Sequence, residues 1–325
     1  MKYTTLGASD LRISRIILGC MSYGEPGRGA HGWSLGLEDS RPFFRDAVEA
    51  GITVFDTANV YSLGSSEEIT GQLLREFTSR DQVIIATKLG MPMGPGPDDA
   101  GLTRSAIQTQ VEASLRRLGT DYIDLYQIHR LDHRTPVEET MEALHGLVVS
   151  GKVRAIGASS MHAWQFAKMQ YTADLNGWTR FVSMQDQYNL LMREEEREMH
   201  PFCLDQGVGV IPWSPLARGR LTRDHGAPSP RLDLDETGSR LYLQDEESDR
   251  AIAAAVGAIA DERQASRAQI ALAWHFAKPA VSAPIIGATK PSHLHDAIAA
   301  LEIELTADEV QRLEAPYRPR RPEGF

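Results

Sequence analysis

The stretch VIIATKLGMPMGPGPDDAGLTRSAIQTQVEASLRRLGTDYIDLYQ, residues 83–127, contains the alternation that decides the fold. Residues 83–86 and 123–127 are short apolar runs, which are typical of strands covered on both faces, as in parallel sheets. Between them, Thr103 opens and Gly119 ends a stretch whose apolar residues recur at helical spacing. The stretch therefore predicts a strand–helix–strand unit with parallel strands.

The same alternation continues along the chain. Six further apolar runs predict strands at residues 15–18, 53–55, 153–156, 181–184, 208–211 and 281–285. Helical patterns lie at 39–50, 67–76, 135–150, 163–173, 194–205, 266–277 and 292–301. Eight strands alternating with eight helices predict an α/β fold, a (β/α)8 TIM barrel. The alternative is a doubly wound sheet with a second domain, but no linker divides the chain, so we predict a single barrel domain over residues 1–325.

Four segments lie outside this alternation. Residues 1–14 alternate and turn at 7–10, which predicts an N-terminal β-hairpin before the first barrel strand. Residues 214–248 lack periodicity and form a long loop after the seventh strand, and loops of that length are usually functional. Residues 249–260 predict an extra helix, and residues 316–325, rich in Pro and Arg, predict an irregular tail.

Composition excludes several classes of protein. Hydrophobic residues are 42% and charged residues 24%, as in ordinary globular domains. The 44 acidic and 34 basic side chains give a net charge of −10, so no general footprint for nucleic acid or an anionic membrane is expected. Cys20 and Cys203 exclude a disulfide framework and lack metal-type spacing, so we predict no metal site. No membrane span or secretion signal is found, and the expected compartment is the cytoplasm.

Ionisable side chains follow three consecutive predicted strands. Asp56 and Tyr61 follow the second strand, Lys88 the third and His129 the fourth, and in a barrel these strand ends meet at the active-site mouth. An ammonium lowers the pKa of a nearby tyrosine, a buried carboxylate keeps the lysine charged, and a histidine can position a carbonyl oxygen. The set suits protonation of an alkoxide as hydride reaches the carbon. It offers no nucleophile with an adjacent base, so acyl transfer fits poorly.

These residues carry a family resemblance. The segments FDTANVY at 55–61, TK at 87–88 and DLYQIH at 124–129 resemble the catalytic segments of the aldo-keto reductase superfamily. The resemblance continues through GSSE at 64–67, SLRRL at 114–118, GKVR at 151–154 and QYNL at 187–190, and so spans nearly the whole chain. Within the superfamily, WSPLA at 213–217 and TPVEE at 135–139 resemble the bacterial reductases related to potassium-channel β subunits.

The resemblance implies an enzyme that uses NADPH to reduce an aldehyde or ketone to the alcohol, or that catalyses the reverse reaction on a small-molecule alcohol. It implies that Tyr61 is the general acid, that Lys88 tunes it, that Asp56 holds Lys88 and that His129 orients the carbonyl. The alternative is a cofactor-binding regulatory or scaffold subunit of the channel β-subunit type. Those relatives have Asn at the position of His129, so His129 favours an enzyme. The oligomeric state is left open.

No G-x-G-x-x-G motif follows the first strand, so a Rossmann cofactor site is not supported. A barrel usually binds phosphate after its seventh and eighth strands, where here a glycine, hydroxyl groups and Lys290 precede a helix. In the family this segment grips the 2′-phosphate of NADP. The predicted cofactor contacts are Gly19, Cys20, Met21, Asp56, Ser159, Gln185, Trp213, Ser214, Pro215, Leu216, Gly219, Arg220, Gly287, Thr289, Lys290 and His293.

Two groups of residues complete the predicted site. Tyr23, His31 and Trp33 follow the first strand and, with Arg130 at the rim, are the candidates for the substrate pocket. Further phosphate contacts are expected from the arginines of the long loop, Arg218, Arg231 and Arg240.

Overall fold

Ten strands are present in the computed structural model, which describes residues 1–29, 32–226, 241–242 and 245–322. They are β1 (Tyr3–Thr5), β2 (Arg12–Ser14), β3 (Ile17–Gly19), β4 (Val54–Asp56), β5 (Ile84–Leu89), β6 (Ile123–Ile128), β7 (Val153–Ser159), β8 (Phe181–Gln185), β9 (Gly209–Val210) and β10 (Ile285–Ile286). Eight of them form one sheet in the order β10-β3-β4-β5-β6-β7-β8-β9, with every neighbouring pair parallel.

Backbone hydrogen bonds join the two ends of this sheet. The N–H groups of Ser282 and Ile285 donate to the carbonyls of Val210 and Pro212 at 2.8 and 2.9 Å. The segment that leads into β10 therefore pairs with β9, and the sheet closes on itself. The predicted (β/α)8 barrel is confirmed.

Ten α-helices surround the described part of the barrel. They are α1 (Leu37–Glu49), α2 (Ser65–Phe77), α3 (Arg104–Leu118), α4 (Val137–Val149), α5 (Ala163–Asn176), α6 (Met199–Asp205), α7 (Glu246–Arg263), α8 (Arg267–Phe276), α9 (Pro291–Ala299) and α10 (Ala307–Glu314). Thr103 caps α3 by accepting a hydrogen bond from the Ala106 N–H, and Gly119 ends that helix at φ 64°. None of the described helices is long and apolar enough to cross a membrane.

The N-terminal hairpin covers one end of the barrel. Strands β1 and β2 pair antiparallel, which confirms the predicted hairpin. Leu6 and Ile13 are buried and pack in one cluster with Val54, Ala86 and Leu125, which point inwards from three barrel strands. The hairpin therefore closes the barrel at the N-terminal ends of its strands, opposite the mouth.

Proline accounts for two differences from the predicted elements. The helix predicted at 194–205 is a 3-10 turn, Glu194–Glu196, followed by the separate helix α6, because Pro201 has no N–H and clashes with a preceding helical turn. The eighth barrel strand has two residues rather than the predicted five, since Pro284 cannot donate to a strand ladder.

Three further differences between the sequence analysis and the structure concern α7, α10 and residues that the structure does not describe. The extra helix expected at 249–260 is present as α7 and is longer. Helix α10 was not predicted, although its capping box, Thr306 with Glu309, is a readable start signal. His31, Arg231 and Arg240 lie outside the described residues.

Candidate active site

The ends of β4, β5 and β6 bring the four predicted catalytic side chains together. Lys88 Nζ lies 2.5 Å from Asp56 Oδ2 and donates to the Tyr61 hydroxyl at 3.3 Å. The rings of Tyr61 and His129 meet edge to face, with centroids 5.8 Å apart. The four side chains therefore form one cluster, called the tetrad below.

The charges of Lys88 and Asp56 are deeply buried and well compensated. The two residues are 0% and 2% exposed. Lys88 Nζ also donates to the Thr57 carbonyl at 2.9 Å, and Asp56 Oδ1 accepts from Gln127 and Gln185 at 3.1 and 2.9 Å. A buried ion pair is tolerated only where its remaining donors and acceptors are satisfied in this way.

Lys88 keeps its proton in this setting. Burial lowers the pKa of Lys88, but attraction to the Asp56 carboxylate and to the Tyr61 oxygen outweighs burial and raises the pKa above its ordinary value. The side chain is therefore an ammonium ion at neutral pH. It can stabilise negative charge on the oxygen of Tyr61.

His129 is neutral at physiological pH. Burial, followed by the positive charges of Lys88 and Arg130, holds the pKa of His129 well below its usual value. Its Nδ1 atom is buried and has no hydrogen-bond partner among the described residues. Arg130, the next residue along the chain, donates to the His129 carbonyl at 2.5 Å.

Tyr61 begins a left-handed turn. In the turn Tyr61–Gly64 the φ angles of Ser62, Leu63 and Gly64 are 45°, 47° and 90°. Non-glycine residues rarely adopt this conformation, and such strain is concentrated at functional sites. The turn reverses the chain from β4 into α2 and presents the phenol beside Lys88.

A second group of predicted residues meets beside the tetrad. Ser159 Oγ donates to the Gln185 carbonyl at 2.7 Å, and the Trp213 N–H donates to the Asp186 carbonyl at 2.8 Å. Trp213 Nε1 donates to Ser160 Oγ at 3.0 Å, which fixes the half-buried indole ring. Ser159, Gln185 and Trp213 therefore line one side of the mouth.

Gln127 belongs to the cluster but was not predicted. It lies opposite Lys88 in the register of β5 and β6, and its amide bonds Asp56. The signal that points to Gln127 is a polar residue at the end of a predicted strand, the position that faces the mouth of a barrel.

The segment after β9 is strained and partly buried. Ser214, Ala217, Arg218 and Gly219 all have positive φ, from 48° to 89°. Pro215 is buried, and Leu216 is half-buried. The predicted cofactor contacts Ser214, Pro215, Leu216, Gly219 and Arg220 belong to this segment.

Arg220 follows this turn. Its guanidinium lies over the Tyr242 ring, 5.4 Å from the centroid. Its Nε atom is buried and lacks a hydrogen-bond partner within the described ranges. A cation with a spare donor at this position suits an anionic ligand.

The predicted phosphate segment follows β10. Gly287, Lys290 and His293 are exposed, and Lys290 directly precedes α9. The Thr289 N–H donates to His293 Nδ1 at 3.3 Å. An exposed ammonium at the N-terminus of a helix is a suitable anion site. The donor set of this segment therefore fits a nucleotide phosphate.

The residues after β3 differ in their access to the mouth. Gly19 packs so closely on β10 that a Cβ would lie 2.7 Å from Ile285 Cγ2. Cys20 is fully buried, and burial raises the pKa of its thiol to about 12. Its side chain is thus an inert core group, whereas Met21 is half-exposed.

The structure places Tyr23 in the core and not in a pocket. Its ring is fully buried against Phe43 and Phe44, and its hydroxyl donates to the Ala288 carbonyl at 2.8 Å. The predicted substrate contact of Tyr23 is therefore not brought to the mouth. Trp33 is half-buried and stays a candidate with Arg130.

Comparisons with known proteins agree with this geometry. Residues 15–318 match the profile of the Aldo/keto reductase family. Versiconal hemiacetal acetate reductase of Aspergillus parasiticus is 44% identical over 98% of both chains. A putative aryl-alcohol dehydrogenase of Saccharomyces cerevisiae is 41% identical over 99% of this chain and 98% of its own. An aldo-keto reductase of Alternaria alternata is 43% identical over 99% of this chain and 93% of its own. The chain belongs to the aldo/keto reductase family.

Proposed function

We propose that this protein is an NADPH-dependent carbonyl reductase that converts an aldehyde or ketone to its alcohol and also catalyses the reverse oxidation. The observation that carries the proposal is the contact of the buried Lys88 ammonium with both the Asp56 carboxylate and the Tyr61 hydroxyl. The names of the relatives, two reductases and an aryl-alcohol dehydrogenase, support a carbonyl–alcohol interconversion.

In this mechanism Tyr61 donates the proton. Bound NADPH supplies the hydride that reaches the carbonyl carbon. Tyr61 protonates the carbonyl oxygen as negative charge develops on it, and the ammonium of Lys88, 3.3 Å away, stabilises the phenolate that is left. Asp56 keeps Lys88 charged and in position.

His129 orients the carbonyl and does not protonate it. The low pKa of His129 leaves the imidazole without an acidic proton at neutral pH. A neutral imidazole still donates one hydrogen bond, which can polarise the carbonyl oxygen. Tyr61 is therefore the member of the tetrad left to act as the acid.

The residues around the mouth fit NADPH in two groups. Ser159, Gln185 and the indole of Trp213 would hold the nicotinamide beside Tyr61. Arg220, Thr289 and Lys290 would hold the phosphates. The buried Arg220 Nε, which has no partner among the described residues, and the exposed ammonium of Lys290 favour negative charge.

A turnover assay tests the proposal. Purified protein is mixed with NADPH and 4-nitrobenzaldehyde, a generic activated aldehyde, and NADPH absorbance is followed. We expect enzyme-dependent consumption of NADPH and formation of the alcohol. Tight NADPH binding without turnover on this aldehyde or on a panel of ketones would instead support the regulatory-subunit alternative.

Cofactor preference depends on Lys290. Lys290→Ala is expected to weaken NADPH binding about ten- to a hundredfold, because a charge-assisted hydrogen bond contributes about 1.5–3 kcal/mol. NADH lacks the 2′-phosphate, so its affinity is expected to change less than about threefold. Both cofactors are titrated by fluorescence quenching. The control is Lys168→Ala, which removes an exposed lysine from α5. Equal losses for NADPH and NADH would show that Lys290 supports the loop and does not read the phosphate.

The pH dependence of reduction tests the role of His129. Because the pKa of His129 lies well below its usual value, the imidazole stays neutral when pH falls through about 6.5. We therefore expect kcat/KM to show no histidine-type titration between about pH 6 and 8. A limb in that range that disappears in His129→Gln would contradict the neutral assignment.

A further inference from the structure

The first turn of α2 is unusually polar for a buried segment. Ser65, Ser66 and Glu67 are 1%, 0% and 0% exposed. They belong to the GSSE segment at 64–67, to which the proposed mechanism gives no role. Buried polar groups need hydrogen-bond partners, and the partners of these three side chains show what the segment does.

Ser65 and Ser66 each form a hydrogen bond with the residue that directly follows a member of the tetrad. Ser65 Oγ donates to the carbonyl of Ser62, the residue after Tyr61, at 3.0 Å. Ser66 Oγ lies 2.8 Å from the hydroxyl of Thr57, the residue after Asp56. The helix start therefore bonds the residues that directly follow two of the catalytic residues, one through its carbonyl and one through its hydroxyl.

Glu67 reaches the third strand of the site. The hydroxyl of Thr87, the residue before Lys88, donates to Glu67 Oε1 at 2.6 Å. The second carboxylate oxygen accepts a hydrogen bond from Arg117 Nε on α3, also at 2.6 Å. One buried carboxylate thus connects α2, α3 and β5.

Arg117 also supports the turn that carries Tyr61. Its side chain lies so close to Gly64 that a Cβ there would be 2.6 Å from Arg117 Cδ. Gly64 is the last of the three left-handed residues that follow Tyr61. The Glu67–Arg117 pair therefore contacts the Tyr61 turn at one end and the neighbour of Lys88 at the other.

We propose that Glu67, held by Arg117, is a positioning residue that sets the distance between the Tyr61 hydroxyl and the Lys88 ammonium. The inference rests on the proposed function, in which these two groups deliver the proton. A carboxylate suits this role because it accepts short, directional charge-assisted bonds on both oxygens. A charge as buried as that of Glu67 is retained at a cost in desolvation, which an apolar residue in a purely packing role would avoid.

The test removes both charges together. In the double variant Glu67→Gln/Arg117→Met no buried charge is left unpaired, so the protein is expected to fold. We expect kcat for 4-nitrobenzaldehyde to fall at least about tenfold, since misplacements of about 1 Å are costly in catalysis. The Kd for NADPH is expected to stay within about threefold. The pH dependence of kcat should also change, because the Tyr61 oxygen is one of the groups that raise the pKa of Lys88. The single variant Arg117→Lys keeps Glu67 and a positive charge beside it, so it should retain more of the wild-type kcat than the double variant.

A matched ion pair at the other end of the barrel is the control. Arg80 and Asp124 are 2.5 Å apart, with side chains 25% and 6% exposed, compared with 20% and 0% for Arg117 and Glu67. Asp124 lies near the start of β6, away from the mouth. Arg80→Met/Asp124→Asn is expected to lower the Tm by a similar amount while kcat and the pH profile stay as in the wild type.

The outcomes separate the two proposals. Equal effects of the two double variants on kcat would show that Glu67 is merely structural and would overturn the inference. Tyr61→Phe is measured in parallel. If that variant is inactive while Glu67→Gln/Arg117→Met keeps wild-type kcat and pH profile, only the positioning role fails. If Tyr61→Phe keeps more than a tenth of the wild-type rate, Tyr61 is not the acid, and if the wild type itself consumes no NADPH with the aldehyde, the proposed function fails. Should the double variant not fold, Thr87→Val removes only the hydroxyl that faces Glu67, and unchanged kcat there overturns the inference.

Discussion

Tyr61→Phe is expected to lower turnover by about 10²- to 10⁴-fold, the usual contribution of a general acid. The substitution removes the hydroxyl that lies 3.3 Å from Lys88 Nζ and keeps the ring that packs edge-on against His129. The Kd for NADPH should therefore stay close to that of the wild type. Single-turnover reduction measures the effect, because it reports the chemical step and not product release.

A matched tyrosine makes this experiment specific. Tyr126 is a fully buried residue of β6, and among the described residues Lys88 donates to the hydroxyl of Tyr61 and not to that of Tyr126. Tyr126→Phe is therefore expected to leave turnover unchanged. More than a tenth of wild-type single-turnover rate in Tyr61→Phe would rule out Tyr61 as the acid.

Lys88→Met is expected to abolish turnover and to lower the free energy of unfolding by about 3 kcal/mol, because it leaves the buried Asp56 carboxylate without its partner. Asp56→Asn should cost less stability, since the amide can still accept from Lys88. Calorimetry and the turnover assay together measure both effects. Arg45→Met, which removes a partner of Asp46 on the surface, is the control and should cost less than about 1 kcal/mol.

The loss of stability in Lys88→Met should become smaller only as the pH rises. The pKa of Lys88 is raised in the folded protein, so its contribution is complete below the unfolded value of about 10.4. That contribution is lost as pH rises through the folded pKa. The difference in unfolding free energy between wild type and Lys88→Met should therefore be constant near neutrality and shrink only at strongly alkaline pH. A difference that shrinks near neutral pH would contradict the charged, buried state of Lys88.

The barrel could be predicted from sequence because its strands are covered on both faces and appear as apolar runs between capped helices. Such patterns give the wrong bounds for an element where a single proline within the pattern prevents the helix or strand from continuing. Pro201 breaks a helical pattern, and Pro284 shortens an apolar strand pattern. Helix α10 was missed because it is only eight residues long and buries one apolar side chain, Leu313, although the box of Thr306 and Glu309 is readable.

Some residues of the candidate site could likewise be predicted from local sequence patterns, and others could not. Asp56, Tyr61, Lys88 and His129 could be proposed from sequence because each follows a predicted strand at the same end of a barrel. Tyr23 follows a strand as well, but the sequence around it does not show that its ring packs into the core against Phe44. The links from Glu67 to Thr87 and Arg117 join residues 20 and 50 positions apart, and no local pattern contains them.

The hairpin that lies across the N-terminal end of the barrel has a consequence for proton supply. Leu6 and Ile13 place an apolar layer between the interior of the barrel and the water beneath it. In the proposed reduction each catalytic cycle leaves Tyr61 one proton short. The replacement must come from solvent at the mouth, where cofactor and substrate also enter. Reprotonation of the enzyme and departure of the alcohol thus share one passage, and a product that leaves slowly also delays the return of the proton.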